Sequence, residues 1–269
     1  MQYEPLKHRI DRFISKHVFL KKVFFLLLDI YLLRTWHVHK ELRKFSKTKS
    51  YHLAVLDAGA GFGQYSWFIL RTFKKVNVTA VDVSEEHVLK ARRFFAKAGY
   101  PNAQFQTEDL TRFCDENAFD LILSVDVMEH ILDDRNVFGN FYQSLKSEGM
   151  LLISTPSDQG GSGVHDHDEE ESFIDEHVRD GYAVSDIREK LESAGFKKVE
   201  AKYTYGSPGK ISWLLQMKIP VTLLNNSRFF VLLLMIYIPV IIFPCLILNF
   251  FDTVLKHKSG TGLLVKAWK

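Results

Sequence analysis

The chain has 269 residues, of which 46% are hydrophobic, so it can build the core of one large domain or of two small ones. It carries 35 basic and 32 acidic side chains, and a net charge of +3 does not indicate nucleic acid as a partner. The two cysteines, Cys114 and Cys245, lie far apart and lack metal-ligand spacing, which fits a reduced, cytosolic protein. We therefore expect one catalytic domain with additional segments.

The first predicted element is an apolar helix at Val23–Leu33. It contains Asp29 and is followed by Arg34 rather than by a small-residue cleavage site, which argues against a signal peptide. The helix is also too short to cross a bilayer. Basic residues beside it, such as Lys22, suit a helix on an anionic membrane surface, and the alternative is that it packs on the domain. Residues 1–48 are accordingly predicted to be a membrane-surface segment or an active-site cover.

From about residue 50 onward, short apolar runs alternate with helical stretches, which is the pattern of a parallel sheet covered by helices. The predicted strands are His52–Leu56, Val76–Val81, Gln104–Gln106, Phe119–Val125, Met150–Thr155, Lys197–Tyr205 and Gly262–Trp268. The predicted helices are Gln64–Lys74, a helix capped by Ser84 that runs to about Lys97, Asn136–Lys146, and Ser185–Ala194. This alternation predicts an α/β fold.

A glycine-rich turn, DAGAGFG at residues 57–63, follows the first strand and leads into a helix. Glycines allow positive φ angles and let backbone N–H groups approach a ligand at the N-terminus of the helix. A dinucleotide fingerprint, GxGxxG, needs its third glycine at position 64, where this chain has Gln64. The spacing therefore disfavours a dehydrogenase.

The arrangement DxGxGxG at residues 57–63 resembles motif I of the class I S-adenosylmethionine-dependent methyltransferases. Three further stretches stand in that family's order: VDVS at 81–84, EDL at 108–110 and SVDVMEH at 124–130. The last looks like the SxxxxEH signature of the branch that includes ubiquinone and menaquinone biosynthesis methyltransferases, with many bacterial members. The resemblance covers most of residues 50–205. It implies a Rossmann-like, seven-stranded, mostly parallel sheet whose last strand is antiparallel.

The resemblance also implies S-adenosylmethionine as the cofactor. Asp82 matches the acid that holds both ribose hydroxyls, and a carboxylate suits a vicinal diol. Asp57 stands where the family more often has glutamate, near the methionine part of the cofactor, and the alternative is that it only stabilises the turn. The predicted cofactor-binding residues are Asp57, Gly59, Gly61, Gly63, Asp82, Val83, Glu108, Asp109, Leu110 and Ser124.

Two histidines are predicted to be catalytic. Methyl transfer mainly requires positioning of donor and acceptor, and a general base helps when the acceptor is a hydroxyl or an acidic carbon. His130 ranks first because it follows the fourth strand, at the side of the sheet where such domains keep their ligands. The alternative is that His130 holds its loop through a hydrogen bond. His177 lies in a segment that resembles one preceding the helix after the fifth strand in many bacterial members, and a structural role for it is equally open.

His165 and His167 alternate with two aspartates, and these are metal-ligand residue types. The glycines at residues 160–163 indicate a solvated, mobile loop instead. A loop of this length over an active site suits a lid that excludes water and selects the acceptor. We therefore predict no metal ion.

An apolar run, FFVLLLMIYIPVIIFPCLILNFF, occupies residues 229–251, where only Asn249 is plainly polar. A run of this length would ordinarily cross a membrane. The resemblance, however, implies that the seventh strand pairs between the fifth and the sixth. Tyr205 and Gly262 must then emerge at the same end of the sheet, and a single crossing would separate them. A lone membrane span is therefore excluded if the last strand pairs in this way.

Two prolines, Pro239 and Pro244, divide the run into limbs of about ten residues, each ~15 Å long as a helix and half of a ~30 Å hydrocarbon core. The run is therefore predicted to bend at its prolines and to enter one leaflet. Residues 211–224 are predicted to form an interfacial helix, and basic residues such as Lys256 to reach lipid headgroups. The alternative is that residues 211–255 pack on another subunit or over the N-terminal helix.

Together these features predict a cytoplasmic methyltransferase with peripheral, monotopic membrane association. The predicted segments are the N-terminal residues 1–48, a methyltransferase domain at 49–205 and 259–269, and an apolar helical insertion at 206–258. The predicted acceptor is hydrophobic and membrane-derived: a lipid, a quinone precursor or an aryl-polyene-like compound. The alternatives are a small soluble phenolic or carboxylate acceptor, with the insertion forming a homodimer, and a non-catalytic membrane module that binds S-adenosylmethionine.

Overall fold

The computed structural model describes residues 17–160, 178–226 and 230–269. The strands in these ranges are β1 (Leu53–Ala58), β2 (Val76–Asp82), β3 (Ala103–Thr107), β4 (Phe119–Val125), β5 (Leu145–Pro156), β6 (Lys198–Thr204) and β7 (Gly262–Trp268). The helices are α1 (Val18–Tyr31), α2 (Leu33–Thr48), α3 (Gln64–Thr72), α4 (Glu85–Ala98), α5 (Asp134–Ser144), α6 (Val184–Ser193), α7 (Ser207–Trp213), α8 (Ile219–Asn226) and α9 (Phe230–Val254). A short 3₁₀ helix covers Met128–His130, and a π-helical turn covers Leu214–Lys218.

All seven strands form one sheet in the order β3-β2-β1-β4-β5-β7-β6. The pairs among β1 to β5 are parallel, and β7 is antiparallel to both of its neighbours. The central strands read as continuous apolar runs because helices cover both of their faces. The predicted fold class is therefore confirmed.

Each face of the sheet carries its own hydrophobic core. Helices α1 to α4 pack on one face, and α5 and α6 pack on the other. On the first face, the buried ring of Phe25 lies 5.7 Å from the ring centroid of Trp67 and 5.5 Å from that of Phe94. The N-terminal helices thus pack on the domain. The opposite side of α1 still exposes Phe19, Leu26, Leu27 and Ile30 to solvent.

The boundaries around β5 differ from the predicted ones. The preceding helix ends at Ser144 rather than Lys146, and β5 begins at Leu145 rather than Met150. Leu145 is fully buried and pairs with Phe119 of β4, so the sheet draws in residues whose local pattern is helical. Tertiary pairing overrides local propensity at this point.

A helical hairpin connects β6 to β7, and we call residues 207–254 the apolar hairpin. Its outgoing limb consists of α7, the π-helical turn and α8, and its returning limb is α9. The limbs are antiparallel, because the Ser212 hydroxyl donates to Asn249 Oδ1 at 2.6 Å and the Tyr237 hydroxyl donates to the Leu215 carbonyl at 3.1 Å.

The apolar run does not divide into two separate helices at its prolines, and a bend at these positions stays a prediction. Helix α9 passes through Pro239 and Pro244 without interruption. Each proline removes one backbone hydrogen bond, and the remaining bonds of a 25-residue helix hold it together. The outgoing limb ends at Asn226 and α9 begins at Phe230, so the predicted interfacial helix at 211–224 belongs to the outgoing limb.

The base of the apolar hairpin is held by one buried carboxylate, that of Asp252 near the C-terminus of α9. Its Oδ1 lies 2.8 Å from Nε2 of His37 in α2 and accepts from the Tyr205 N–H at 3.1 Å. Its Oδ2 accepts from the Gly209 N–H at 2.9 Å and lies 3.3 Å from Nε2 of His257. A carboxylate is unfavourable at a helix C-terminus, so these partners decide its position.

We predict that Asp252→Ala lowers stability by about 2–4 kcal/mol, because it leaves the N–H groups of Tyr205 and Gly209 without their acceptor. For a protein of this size the corresponding loss in Tm is roughly 5–10 °C. Thermal unfolding of the full chain in detergent measures it, with exposed Glu116→Ala as the matched control. Equal melting temperatures for the two variants would contradict a structural role for Asp252.

Candidate active site

The turn between β1 and α3 carries positive φ angles at Gly59, Gly61 and Gly63. A Cβ atom on Gly59 would lie 2.3 Å from a methyl carbon of Val127, so a larger residue does not fit there. A Cβ atom on Gly61 would meet open space, so this part of the backbone is accessible. We call the space beside the glycine-rich turn, at the carboxyl ends of β1 to β4, the cleft. The Gly59 N–H donates to the Val81 carbonyl at 2.9 Å, which holds the turn against β2.

Asp82 ends β2 and is bound to the glycine-rich turn. Its Oδ2 accepts from the Gly61 N–H at 2.7 Å, and its Oδ1 accepts from the Ser84 N–H at 2.9 Å. Burial acts to raise the pKa of Asp82, but the nearby His87 ring and the two backbone donors outweigh it and hold the pKa below its ordinary value. Asp82 is therefore an ionised carboxylate, and its remaining lone pairs can accept from two vicinal hydroxyls.

Asp57 lies near the end of β1 and is only 2% exposed. Its Oδ2 accepts a 2.6 Å hydrogen bond from the Ser66 hydroxyl in α3, which connects the strand to the helix that follows it. Burial raises the pKa of Asp57 to about 6. The bond to Ser66 is the contact expected of an acid that stabilises the turn, and its contact with the cofactor stays a prediction.

The predicted adenine corner, residues 108–110, lies directly beside Asp82. The Glu108 N–H donates to the Asp82 carbonyl at 3.1 Å. Glu108 and Asp109 are exposed, whereas Leu110 is buried. Asp109 Oδ1 accepts from the Thr111 N–H at 2.9 Å, and this bond keeps the pKa of Asp109 below its usual range. The corner therefore combines two exposed carboxylate acceptors with the buried apolar side chain of Leu110.

The segment after β4, residues 126–130, runs along the glycine-rich turn. Val127 fills the space beside the turn, and His130 is half-buried with its N–H donating to the Val127 carbonyl at 3.0 Å. Glu129 is buried and accepts from the Thr155 hydroxyl at 3.0 Å. Burial raises the pKa of Glu129. This segment therefore places one imidazole and one buried carboxyl group next to the predicted cofactor site.

The first turn of α2 closes another side of this cleft. The guanidinium of Arg34 pairs with the carboxylate of Asp126. The backbone N–H of Arg34 donates to the Tyr205 hydroxyl at 3.1 Å. Burial raises the pKa of Tyr205 and of Tyr65 in α3, while the positive charge of Arg34 opposes this rise. Helices α2 and α3 and the ends of β4 and β6 thus meet around one arginine.

Two hydroxyl groups in this region are buried without a hydrogen-bond partner among the described residues. One is that of Ser124 on β4, which pairs in register with Ala58 of β1, and the other is that of Tyr65. Buried polar groups are normally paired with protein, water or ligand. Both hydroxyls therefore fit a site that takes up a polar molecule.

Comparison with known proteins identifies the domain that carries most of these residues. Residues 55–149 match the family model described as a methyltransferase domain. The chain is 30% identical over 112 residues to malonyl-[acyl-carrier protein] O-methyltransferase from Bacillus cereus. It is 32% identical over 150 residues to phosphoethanolamine N-methyltransferase 1 from Triticum aestivum. The chain contains a class I S-adenosylmethionine-dependent methyltransferase domain.

The likeness concerns the methyltransferase domain rather than whole proteins. The aligned residues are 42% of this chain and 40% of the Bacillus relative, and 55% of this chain and 29% of the Triticum relative. Phosphoethanolamine N-methyltransferase 2 from Haemonchus contortus, solved with phosphomonomethylethanolamine and S-adenosylhomocysteine, shares the fold. It has a TM-score of 0.61 at 17% identity, over 87% of this chain and 53% of that chain.

The cofactor of the methyltransferase domain is S-adenosylmethionine, which supplies an electrophilic methyl group on a sulfonium sulfur. The residues of the cleft fit such a molecule. Asp82 offers acceptors for the ribose diol, the corner at 108–110 offers acceptors beside an apolar floor for adenine, and Gly61 leaves open space at the turn. The protein's part in the reaction is to bind and orient these groups and to exclude water.

Most predicted site residues come together at the carboxyl ends of β1 to β4. They are Asp57, Gly59, Gly61, Gly63, Asp82, Val83, Glu108, Asp109, Leu110, Ser124 and His130. His177, His165 and His167 lie outside the described residues, so their roles stay predictions. Across the ranges that the structure describes, no cluster of three or more His, Cys, Asp or Glu could hold a metal ion.

The sequence did not predict Arg34, Glu129 or Tyr205 as residues of the cleft. Glu129 stands within the SxxxxEH signature and carried a signal through that motif. Arg34 and Tyr205 come from α2 and from the turn after β6, 171 residues apart, and only the fold brings them together. In the sequence, Arg34 follows the predicted apolar helix Val23–Leu33, and Tyr205 ends the predicted sixth strand. Neither position indicates a binding site.

We predict that Asp82→Asn weakens binding of S-adenosylhomocysteine by about 10- to 100-fold, since a hydrogen bond to a charged group contributes about 1.5–3 kcal/mol. The amide can also no longer accept from Gly61 and Ser84 with two oxygens. Isothermal titration calorimetry measures the affinity. Glu85→Gln, an exposed acid in the first turn of α4, is the control and should bind as the unchanged chain does. Unaltered affinity in Asp82→Asn would rule out the assigned role.

Proposed function

We propose that this protein transfers a methyl group from S-adenosylmethionine to a hydrophobic acceptor that resides in a membrane, and that the apolar hairpin holds the enzyme on the cytoplasmic surface of that membrane. The methyltransferase domain supports the reaction class. The acceptor class is carried by one observation: the apolar hairpin is fastened to the same helix, α2, that supplies Arg34 to the cleft.

The returning limb of the apolar hairpin is far more apolar and exposed than a helix of a soluble core. Val231–Val254 is long and apolar enough to cross a membrane, yet only 11% of its most apolar stretch is buried. Large apolar side chains stay exposed along it, including Leu232, Ile236, Val240 and Phe243. Exposed apolar surface of this extent indicates a membrane or protein contact.

Further apolar surface and basic charge accompany the apolar hairpin. Helix α1 exposes an apolar side, and its C-terminal residue Tyr31 donates to the carbonyl of Gln216 in the π-helical turn. At the base of the hairpin, Lys210, Lys256 and Lys258 are exposed. Lysines beside an apolar surface suit anionic lipid headgroups, each contributing ~1 kcal/mol near the surface. This combination favours lipid over a second protein subunit as the partner.

The chain enters and leaves the apolar hairpin at the same end of the paired strands β6 and β7. Thr204 at the end of β6 pairs with Gly262 at the start of β7, so both limbs begin at the methyltransferase domain. Such an element can enter lipid without placing β7 on the other side of the membrane. This connectivity supports peripheral, monotopic association.

The cleft can position an acceptor and accept its proton. Positioning of reactants can lower a barrier by ~7–11 kcal/mol. For a hydroxyl or an acidic carbon as the acceptor, His130 is the proposed general base, since it lies in the segment beside the glycine-rich turn. Because Glu129 is buried and hydrogen-bonded to Thr155, we assign it to holding that segment.

We expect the full chain, incubated in vesicles of a total lipid extract with methyl-labelled S-adenosylmethionine, to place label in an organic-phase product. At a cofactor concentration below saturation, Asp82→Asn should lower this labelling by about 10- to 100-fold, in line with its weaker binding. His130→Ala should lower turnover by ~10²- to 10⁴-fold while binding of S-adenosylhomocysteine is unchanged. Label confined to water-soluble products would support a small soluble acceptor. Cofactor binding without any labelled product would support a non-catalytic module.

A triple variant tests the membrane contact. Leu232, Ile236 and Phe243 lie on one exposed side of α9, and each contributes ~1.5–3 kcal/mol when buried in hydrocarbon. Replacing all three with serine should therefore reduce co-flotation with phosphatidylcholine–phosphatidylglycerol vesicles by more than tenfold. The matched control replaces Tyr51 and Leu89, exposed apolar residues of the methyltransferase domain, with serine. Unchanged flotation of the triple variant, together with loss of a homodimer in light scattering, would favour the dimerisation alternative.

A further inference from the structure

Arg34 is the charged group at which the cleft and the apolar hairpin meet. We propose that Arg34 binds an anionic group of the acceptor, a carboxylate or a phosphate, in exchange for its contact with Asp126. The acceptor is then an anionic amphiphile whose apolar part lies toward the hairpin. This inference rests on the proposed function and names the chemical class of its substrate.

The position of Arg34 allows a ligand to reach it. Its side chain is 39% exposed, and that of its partner Asp126 is 30% exposed. A partly solvated ion pair contributes only ~0–1 kcal/mol, so an incoming anion can replace Asp126 at little cost. Arginine is also suited to this task, because its planar guanidinium donates two parallel hydrogen bonds to a carboxylate or a phosphate.

The surroundings of Arg34 include further hydrogen-bond donors. Its charge acts on the buried phenols of Tyr65 and Tyr205 and on the carboxyl group of Glu129. The Tyr65 hydroxyl is buried and has no hydrogen-bond partner within the described ranges. A phenol can donate to an anion that Arg34 already holds. An anion at Arg34 would therefore pair with this unpartnered group as well.

The residues that precede Arg34 place the apolar part of the ligand toward the hairpin. Leu33 is buried against Gly209 at the start of the outgoing limb, and Tyr31 contacts the carbonyl of Gln216. The α1–α2 junction thus lies between the anion site and the exposed apolar surface. A ligand with its head at Arg34 and a chain of several carbons would lie along this junction.

Simple amphiphiles test the site without knowledge of the natural acceptor. With S-adenosylhomocysteine present at pH 8, we expect the full chain to bind dodecanoate and dodecyl phosphate at least tenfold more tightly than dodecanol, by tryptophan fluorescence titration. Inorganic phosphate, which lacks the chain, should bind at least tenfold more weakly than dodecyl phosphate. Equal affinity for dodecanoate and dodecanol would overturn the proposal.

Variants assign the anion preference to one residue. Arg34→Gln should remove the preference for anions by at least tenfold, Arg34→Lys should keep part of it, and Asp126→Asn should increase it severalfold because the competing carboxylate is gone. Melting temperatures verify that each variant is folded. The affinity for S-adenosylhomocysteine should stay within twofold of the unchanged chain in all three.

A tenfold loss of S-adenosylhomocysteine affinity in Arg34→Gln, with the preference for dodecanoate intact, would assign Arg34 to the amino-acid carboxylate of the cofactor and overturn the proposal. These binding experiments do not depend on turnover. An Arg34-dependent preference for anionic amphiphiles without organic-phase labelling would therefore refute the proposed function while leaving the anion site in place. The two failures are thus distinguishable.

Discussion

The pairing of β7 between β5 and β6 is the constraint on which the rest of the structure depends. β7 forms seven register pairs with each neighbour, from Gly262 to Trp268. Because β7 is antiparallel to β6 and adjacent to it, the residues between the two strands must leave and return at one edge of the sheet. A long apolar segment placed there must therefore begin and end beside the same end of the sheet. The apolar hairpin meets this requirement with two antiparallel helical limbs, in which α9 packs along the outgoing limb.

The buried carboxylate of Asp252 fixes the base of the apolar hairpin to the rest of the protein. It contacts the start of the outgoing limb through Gly209, the turn after β6 through Tyr205, and helix α2 through His37. A second contact joins α2 to the hairpin, since Lys40 Nζ donates to the Thr253 carbonyl at 2.6 Å. Helix α2 also carries Arg34. The hairpin and the cleft are therefore connected through one helix, which gives the apolar surface a physical route to the reacting groups.

The predicted cofactor end of the cleft contains two carboxylates in contrasting environments. Asp82 is partly exposed, accepts two backbone hydrogen bonds and has a lowered pKa, so it is a charged acceptor. Asp57 is fully buried, bonded to Ser66, and has a pKa raised to about 6, so it serves the strand-to-helix connection at little electrostatic cost to the site. Similar residue types at neighbouring strand ends thus differ in charge state because of their burial and their hydrogen-bond donors.

The order and type of most elements, the glycine-rich turn and the acid at the end of β2 could be predicted from the sequence, because each depends on contacts among residues close in the chain. The last strand's antiparallel position was predicted through the resemblance alone. The division of the apolar run into two limbs at Pro239 and Pro244 was not correct, because the backbone hydrogen bonds around each proline keep Phe230–Val254 one helix. The early start of β5 at Leu145 escaped prediction because its partner, Phe119, is 26 residues away.

What the sequence determined by itself is therefore the class of domain and the cofactor corner, where short motifs supply both the backbone shape and the acceptors. Only the tertiary structure revealed the residues at which we propose that the acceptor binds. The contacts among Arg34, Asp126 and Tyr205, and the attachment of the apolar hairpin through Asp252 and His37, join residues separated by 47 to 215 positions, with no local pattern to announce them. Packing of the sheet and its helices brings these residues together, because each contact joins elements that are far apart in the chain.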